Sequence, residues 1–177
     1  MKIFIVGPNN IDKLEYANSI IALNDNLNIC RYFTSDKKFD GMIGEYIFHL
    51  DIDDIELSFK NNALFYIDYN DEEITGITFD DYNASDVIFM NTKHFNMLSN
   101  IHINRDNMLI VILDTNKHDE NIKKEITEMN YLFERINEMD LYYLYFINEN
   151  KDNIANIILD YLNSDEEKRK EILEENS

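Results

Sequence analysis

The sequence predicts an α/β fold: a three-layer sandwich with a mostly parallel five-stranded sheet, helices on both faces and a small inserted hairpin subdomain. Short, almost fully apolar runs alternate with segments whose apolar residues recur at helical spacing, which is typical of parallel strands joined by crossover helices. The 177 residues are enough for one domain with a sizeable core. The hydrophobic content of 45% argues against disorder despite a formal net charge of −19.

The first half of the chain starts with the apolar run KIFIV, which the turn Gly7-Pro8-Asn9-Asn10 ends. The predicted elements here are a strand at 2–6, a helix at 13–23 capped by Asp12 or Asn10, a strand at 27–33, a polar loop at 34–45, a helix at 51–60 and a hairpin with arms at 63–69 and 74–79. We expect the hairpin to lie outside the main sheet.

The second half of the chain alternates strand and helix patterns more regularly. Its predicted elements are strands at 86–90, 108–113 and 141–147 and helices at 92–100, 121–139 and 151–162. These strands, with 2–6 and 27–33, make up the five-stranded sheet. The predicted organisation is one domain at 1–163, with an insertion at about 34–82, and a charged tail at 164–177 that is a solvated helix or a docking segment.

Composition excludes several classes of function. The 35 acidic residues against 16 basic ones oppose binding of nucleic acid or an anionic membrane through a basic surface. The lone cysteine, Cys30, excludes a disulfide framework. No apolar run is long enough for a membrane span and no signal peptide is visible, so we expect a cytoplasmic protein. The 25 asparagines and 26 isoleucines suggest A/T-rich codons, as in some large DNA viruses, phages, protists or low-GC bacteria. If the protein is viral, we expect it in the virion.

The first strand-to-helix turn matches part of the phosphate-binding pattern G-x-x-x-x-G-K-[ST]. Gly7 and Lys13 have the required spacing and lie between a strand and a helix. Asp12 replaces the second glycine, so a negative side chain would stand beside the phosphates. Leu14 replaces the hydroxyl residue that would ligate Mg²⁺. Gly7 and Lys13 are therefore the candidate cofactor-binding residues of a degenerate phosphate loop.

Further matches extend along residues 1–163. They are Tyr46-Ile47-Phe48 with a Y-x-F step that follows two family glycines, here Gly41 and Gly44, Leu64-Phe65-Tyr66 with F-L-E, Thr75-Gly76-Ile77 with Y-G-T, and Asn148 at the end of a Y-D-x-V-[IV]-x-N strand. With the first turn, this order resembles the guanylate kinase family of P-loop nucleoside monophosphate kinases. A thymidylate-kinase-like or other P-loop kinase ancestry would fit nearly as well.

Most residues that the resemblance marks as functional are replaced. Asp36, Lys37 and Lys38 stand near the positions of the two arginines that grip the monophosphate, and Tyr66 stands at the glutamate that reads guanine. In the segment corresponding to the lid, only Arg135 remains of the arginines that act on the transferring phosphoryl group. Since phosphoryl transfer depends on positioning and charge neutralisation, their joint loss predicts little catalysis.

We therefore predict a degenerate, catalytically inactive family member with no catalytic residues and no cofactor, serving as a protein-interaction or structural component. Its expected partner is another protein or further copies of the chain. The alternative is a divergent but active nucleoside or deoxynucleoside monophosphate kinase that uses ATP and Mg²⁺. It would use Lys13 for phosphate and Lys37, Lys38 or Arg135 for the remaining charge.

No metal site is predicted. The four histidines, His49, His94, His102 and His118, do not form a ligand pair on one helical face. The acidic runs at 51–54 and 71–73 lack the ligand spacing and central glycine of a calcium-binding EF-hand loop. Solvated acidic surface is the favoured interpretation of both runs.

Overall fold

A computed structural model of the protein describes residues 1–40, 46–69, 73–99, 103–115 and 122–177. Internal contacts divide the chain into two units, which we call the core unit (residues 1–27 and 87–177) and the inserted unit (residues 28–86). The predicted insertion at about 34–82 lies inside the inserted unit. Gly41, Gly44, His102 and His118 lie outside the described residues.

The described elements follow the predicted alternation. The strands are β1 (Lys2–Gly7), β2 (Tyr32–Thr34), β3 (Ile47–His49), β4 (Leu64–Tyr69), β5 (Ile74–Thr78), β6 (Val87–Asn91), β7 (Met108–Asp114) and β8 (Tyr143–Ile147). The helices are α1 (Lys13–Leu23), α2 (Ile52–Lys60), α3 (Phe79–Ala84), α4 (Thr92–Met97), α5 (Ile122–Glu138), α6 (Lys151–Asn163) and α7 (Glu166–Asn176).

The core unit is built on a parallel sheet of four strands in the order β6-β1-β7-β8. Every residue of β1 from Ile3 to Val6 is at most 1% exposed, so both faces of this strand are covered. Helices α1 and α4 both contact β1, and the Phe4 ring meets the Phe95 ring of α4 edge-on at 5.6 Å. This burial on both faces explains why the strand is a continuous apolar run and does not alternate.

The prediction of a five-stranded sheet with residues 27–33 as one strand is wrong. Only Ile29 of this segment forms an isolated bridge, and the backbone N–H of Asp86 donates to the Asn28 carbonyl at 2.8 Å. From Tyr32 the chain pairs with β3 and β5 in a second sheet. An apolar run indicates that a strand is buried, but it does not indicate to which sheet the strand belongs. Here the end of the segment joins the second sheet as β2.

The inserted unit is built on a mixed sheet in the order β3-β2-β5-β4. The predicted hairpin is confirmed, since β4 and β5 pair in antiparallel register. Strand β3 and helix α3 were not predicted. Thr78 caps the N-terminus of α3: its hydroxyl oxygen accepts the Asp81 N–H at 3.0 Å, and this T-x-x-D capping signal is visible in the sequence.

The charged tail forms α7, which packs on α6 and β8 of its own chain. Ile172 is 4% exposed, and the Arg169 guanidinium donates to the carbonyls of Tyr161 and Leu162, each at 2.9 Å. The tail is therefore helical and docked by one apolar and one cationic side chain. Within the described ranges, no helix combines the length and hydrophobicity that crossing a membrane requires.

Candidate functional site

The candidate site is the turn between β1 and α1, at residues 7–14. It lies at the carboxyl ends of the parallel core strands, which is where open α/β sheets bind their ligands. The turn is compact: the Ile11 N–H donates to the Pro8 carbonyl at 3.3 Å, and the Lys13 N–H donates to the Ile11 carbonyl at 3.0 Å. Several of its backbone groups are thus bonded to one another.

Asp12 occupies the amino terminus of α1. Its Oδ1 accepts the backbone N–H groups of Leu14 at 3.2 Å and Glu15 at 3.4 Å. These are first-turn donors of the kind that a phosphate uses at a helix N-terminus. The carboxylate also places a negative charge at the positive end of the helix dipole. An internal anion therefore stands where the phosphate-binding pattern would place an external one.

Lys13 points into the turn and is 6% exposed. Its ammonium Nζ donates to the Pro8 carbonyl at 2.7 Å and to the Ile11 carbonyl at 3.1 Å. Burial lowers the pKa of Lys13 to about 8, while the charge of Asp12 acts in the opposite direction. The lysine holds the turn closed through backbone carbonyls, so its charge is already committed within the chain.

Gly7 has a packing role at the end of β1. A Cβ at this position would lie 2.8 Å from the Leu113 carbonyl oxygen and 3.3 Å from the Leu113 Cβ. The neighbouring strand β7 therefore requires glycine here whether or not a phosphate binds.

The turn does not fit a nucleotide-bound Mg²⁺. Leu14 has no ligand atom, and the carboxylate of Asp12, the nearest candidate, already accepts two backbone N–H groups. Within the described residues, no group of three or more His, Cys, Asp or Glu side chains is arranged to hold a metal ion. No chemical step through ATP or Mg²⁺ is supported by these residues.

Arg135, the arginine left in the segment corresponding to the lid, lies on α5 and is 6% exposed. Its guanidinium donates to the Phe95 carbonyl at 2.7 Å and to the Leu98 carbonyl, and it stands 5.8 Å from the Phe95 ring centroid. Burial lowers its pKa from the ordinary arginine value. These bonds tie α5 to the end of α4.

The segment that corresponds to the family's monophosphate-binding loop is also internally bonded. In the inserted unit, the Thr34 hydroxyl donates to the Glu73 carboxylate, and the Ser35 hydroxyl oxygen accepts the Ile74 N–H at 2.8 Å. Asp36 forms an ion pair with Lys38, which lowers the pKa of Asp36 and raises that of Lys38. One of the two lysines considered as substitutes for the family arginines is thus paired with an aspartate.

The positions that would read the base are part of the inserted unit's core. Tyr66 is 7% exposed and Ile77 is fully buried, and these two residues face each other across β4 and β5. Burial raises the pKa of Tyr66. Gly76 is required by packing, because a Cβ there would lie 2.5 Å from the Phe33 Cζ and would also meet the Tyr66 carbonyl.

Sequence reasoning missed one polar pair at the carboxyl edge of the core sheet. The Tyr145 hydroxyl donates to Asp114 Oδ2 at 2.7 Å, and the Thr115 N–H donates to Asp114 Oδ1 at 2.7 Å. Burial, followed by this bond, raises the pKa of Tyr145. The signal was available in principle, because a polar residue that ends a buried parallel strand lies at the ligand-binding edge.

Comparison with known proteins gives a structural match but no sequence match. No protein-family model and no curated protein sequence matches the chain. The structure is similar to that of the guanylate kinase from Anaplasma phagocytophilum, with a TM-score of 0.54 and 13% sequence identity, over 92% of this chain and 84% of that one. At this identity the likeness shows the fold alone. The predicted guanylate-kinase-like α/β fold is confirmed, and the loss of activity stays a prediction.

Proposed function

We propose that the protein is a catalytically inactive guanylate-kinase-like component that acts through contacts with other proteins, as an interaction module or a structural subunit. The observation that carries this proposal is the bonding of the turn at 7–14. The Asp12 carboxylate accepts the first-turn N–H groups of α1, and the Lys13 ammonium donates to the carbonyls of Pro8 and Ile11. A polyphosphate would have to displace both sets of bonds.

Charge in the inserted unit supports the same proposal. Its residues 28–86 carry 14 Asp and Glu against four Lys and Arg. A nucleoside monophosphate approaching this unit would meet a predominantly negative field. Because the family arginines are replaced and Lys38 is paired with Asp36, local charge does not compensate for this field. A phosphopeptide ligand is disfavoured for the same reason.

The competing proposal, a divergent ATP-dependent nucleoside monophosphate kinase, rests on Lys13, Lys37, Lys38 and Arg135. Arg135 is bonded to backbone carbonyls, and Lys13 is buried in its own turn. Each missing electrostatic contact in phosphoryl transfer typically costs about 3 kcal/mol of transition-state stabilisation. Losing several at once supports inactivity over weak activity. The cellular setting, cytoplasm or virion, remains a proposal from composition.

A coupled assay for nucleoside diphosphate formation tests the proposed function. Purified protein is mixed with Mg-ATP and, in separate reactions, GMP, dGMP and dTMP. We expect no turnover above that of a Lys13→Ala variant, which serves as the matched blank. Turnover in the wild type that disappears in Lys13→Ala would establish the competing kinase proposal.

A further inference from the structure

Helix α2 leaves most of its apolar side chains in solvent. It contains four large aliphatic or aromatic residues, of which only Ile55 is buried. Ile52 is 56% exposed, Leu57 is 56% exposed and Phe59 is 60% exposed. A surface helix of a globular protein normally turns its apolar residues to the core and its polar residues to water. Packing inside the inserted unit therefore accounts for Ile55 but not for the three exposed apolar residues of α2.

The exposed residues of α2 have a defined arrangement. Ile52 and Phe59 are seven residues apart, so they lie on the same side of the helix two turns apart. Asp53, Glu56 and Lys60 lie between this pair and Leu57 around the helix. Glu56 and Lys60 form an exposed ion pair at 3.5 Å. We call this exposed side of α2, with Ile52, Asp53, Glu56, Leu57 and Phe59, the α2 face.

Carboxylates dominate the charge around the α2 face. Asp51 is at the N-cap of the helix, Asp53 and Asp54 lie in its first turn, and Glu56 follows one turn after Asp53. Acidic residues in a first helical turn are ordinary, because the helix dipole stabilises them. The dipole does not account for the apolar residues between them. The cations of the unit are largely engaged: Arg31 pairs with Asp81 at 2.8 Å, and Lys38 pairs with Asp36.

We propose that the α2 face is the docking surface for a basic amphipathic helical segment of a partner protein. This inference rests on the proposed interaction function and assigns its surface and the chemistry of its partner. Ile52 and Phe59 would pack against apolar residues of the partner helix, while the surrounding carboxylates pair with its Lys or Arg residues. Charge complementarity selects this occupant, because a second copy of the chain carries a net charge of −19 and would be repelled.

Binding of a synthetic helical peptide tests the proposal. The probe carries Leu on one side and Lys on the other, and the control probe replaces each Lys with Glu. We expect saturable binding of the Leu/Lys peptide, measured by fluorescence anisotropy at physiological salt, and no binding of the Leu/Glu peptide. Binding of both peptides alike, or of neither, would overturn the proposal.

Two pairs of matched variants locate the binding surface. Ile52→Ser with Phe59→Ser removes the apolar side chains, and Leu23→Ser with Met97→Ser is the control at exposed apolar sites of the core unit. Asp53→Asn with Glu56→Gln removes two charges, and Glu174→Gln with Glu175→Gln removes two charges from α7. We expect each α2 pair to weaken binding about tenfold or more, which is typical of changes at the centre of an interface, and each control pair to change it less than about twofold.

The alternatives give different results in the same experiment. Equal weakening by both charge pairs, with no effect of the apolar pair, would show non-specific attraction to an acidic protein and would overturn the proposal. Self-association in sedimentation that the α2 pair abolishes would make a second copy the occupant, against the proposal. Unchanged thermal unfolding verifies that the variants fold. Lys13-dependent nucleoside diphosphate formation would refute the proposed function, whichever result the peptide gives.

Discussion

Two cationic side chains in each unit of the molecule lie in contrasting environments. In the core unit, Lys13 and Arg135 are each 6% exposed and bonded to backbone carbonyls. In the inserted unit, Arg31 and Lys38 keep 56% and 65% of their side chains exposed and pair with aspartates. The inserted unit also leaves Phe59 in solvent. The two cations of the core unit are therefore buried against backbone carbonyls, whereas the two of the inserted unit form surface ion pairs.

This difference decides which side chains a ligand can reach. A buried cation that is bonded to carbonyls is not accessible to a ligand. An exposed apolar helix side contributes little to the fold and is accessible. Removing one group at a time tests this contrast. Each variant is compared with a change in a contrasting environment or with a conservative change at the same position.

The largest expected effect is that of Arg135→Ala. The change removes the Arg135 donor from the Leu98 carbonyl in a buried place and leaves the Phe95 carbonyl with the Leu98 N–H, so we expect a loss of about 2–4 kcal/mol in the free energy of unfolding. Arg105→Ala is the control, because Arg105 is 42% exposed and its ion pair with Asp140 lies at the surface. It should cost less than about 1 kcal/mol. Urea unfolding measures the free energy of unfolding of both variants. Equal losses would show that the bonds of Arg135 to the two carbonyls do not stabilise the core unit.

The next largest effects are those of replacing one glycine in each unit by alanine. In Gly76→Ala the new Cβ meets both the Tyr66 carbonyl and the Phe33 ring, whereas in Gly7→Ala it meets the Leu113 carbonyl at 2.8 Å. We expect losses of about 2–3 kcal/mol for Gly76→Ala and about 1–2 kcal/mol for Gly7→Ala. Thermal or urea unfolding gives the order. A Gly7→Ala protein as stable as the wild type would indicate that this glycine was retained for a ligand.

The buried ammonium of Lys13 predicts a pH dependence. Its pKa is about 8 in the folded protein and about 10.4 in an unfolded chain, so between these values the unfolded state binds more protons. Stability should therefore rise with pH in this window, by about 2 kcal/mol between pH 8 and 10. Lys13→Met lacks this increment, and the difference between the two proteins cancels the titration of tyrosines. A difference that is flat from pH 7 to 10 would place Lys13 in solvent.

The smallest of these effects is the loss of the α1 cap. Asp12→Ala removes the acceptor of the Leu14 and Glu15 N–H groups and should cost about 1 kcal/mol. Asp12→Asn should retain most of the stability, because asparagine caps helices about as well as aspartate. Urea unfolding of the two variants distinguishes them. A stabilising Asp12→Ala would mean that the carboxylate opposes the fold and has been retained for another purpose.

Helix positions were largely predictable from the sequence because the spacing and capping signals agreed. Helix α1 has the predicted bounds, and Asp12, one of two predicted caps, is the cap observed. The buried cations could also have been found. Lys13 shares the spacing of Ala17 and Ile20, and Arg135 stands between Leu132 and Ile136 on the buried stripe of α5. Spacing thus indicates burial even where residue type suggests solvent.

Other features could not be predicted from local patterns. The apolar run at 27–33 indicates a buried strand, but pairing of β2 with β3 and β5 depends on contacts between distant residues. The exposure of Ile52 and Phe59 could not be predicted either, since their spacing is that of an ordinary core-facing helix. Only the packing around α2 shows that this side of the helix has no covering element among the described residues.

Titration with ATP is the most direct test of whether the turn at 7–14 has lost its ligand. Wild-type protein, Lys13→Ala and the double variant Asp12→Gly with Leu14→Thr are compared by calorimetry in the presence of Mg²⁺. The self-bonded turn predicts no saturable binding by the wild type at millimolar ATP, and measurable binding once the glycine and the hydroxyl are restored. Saturable ATP binding by the wild type that Lys13→Ala abolishes would contradict the claim that the turn at 7–14 has lost its ligand.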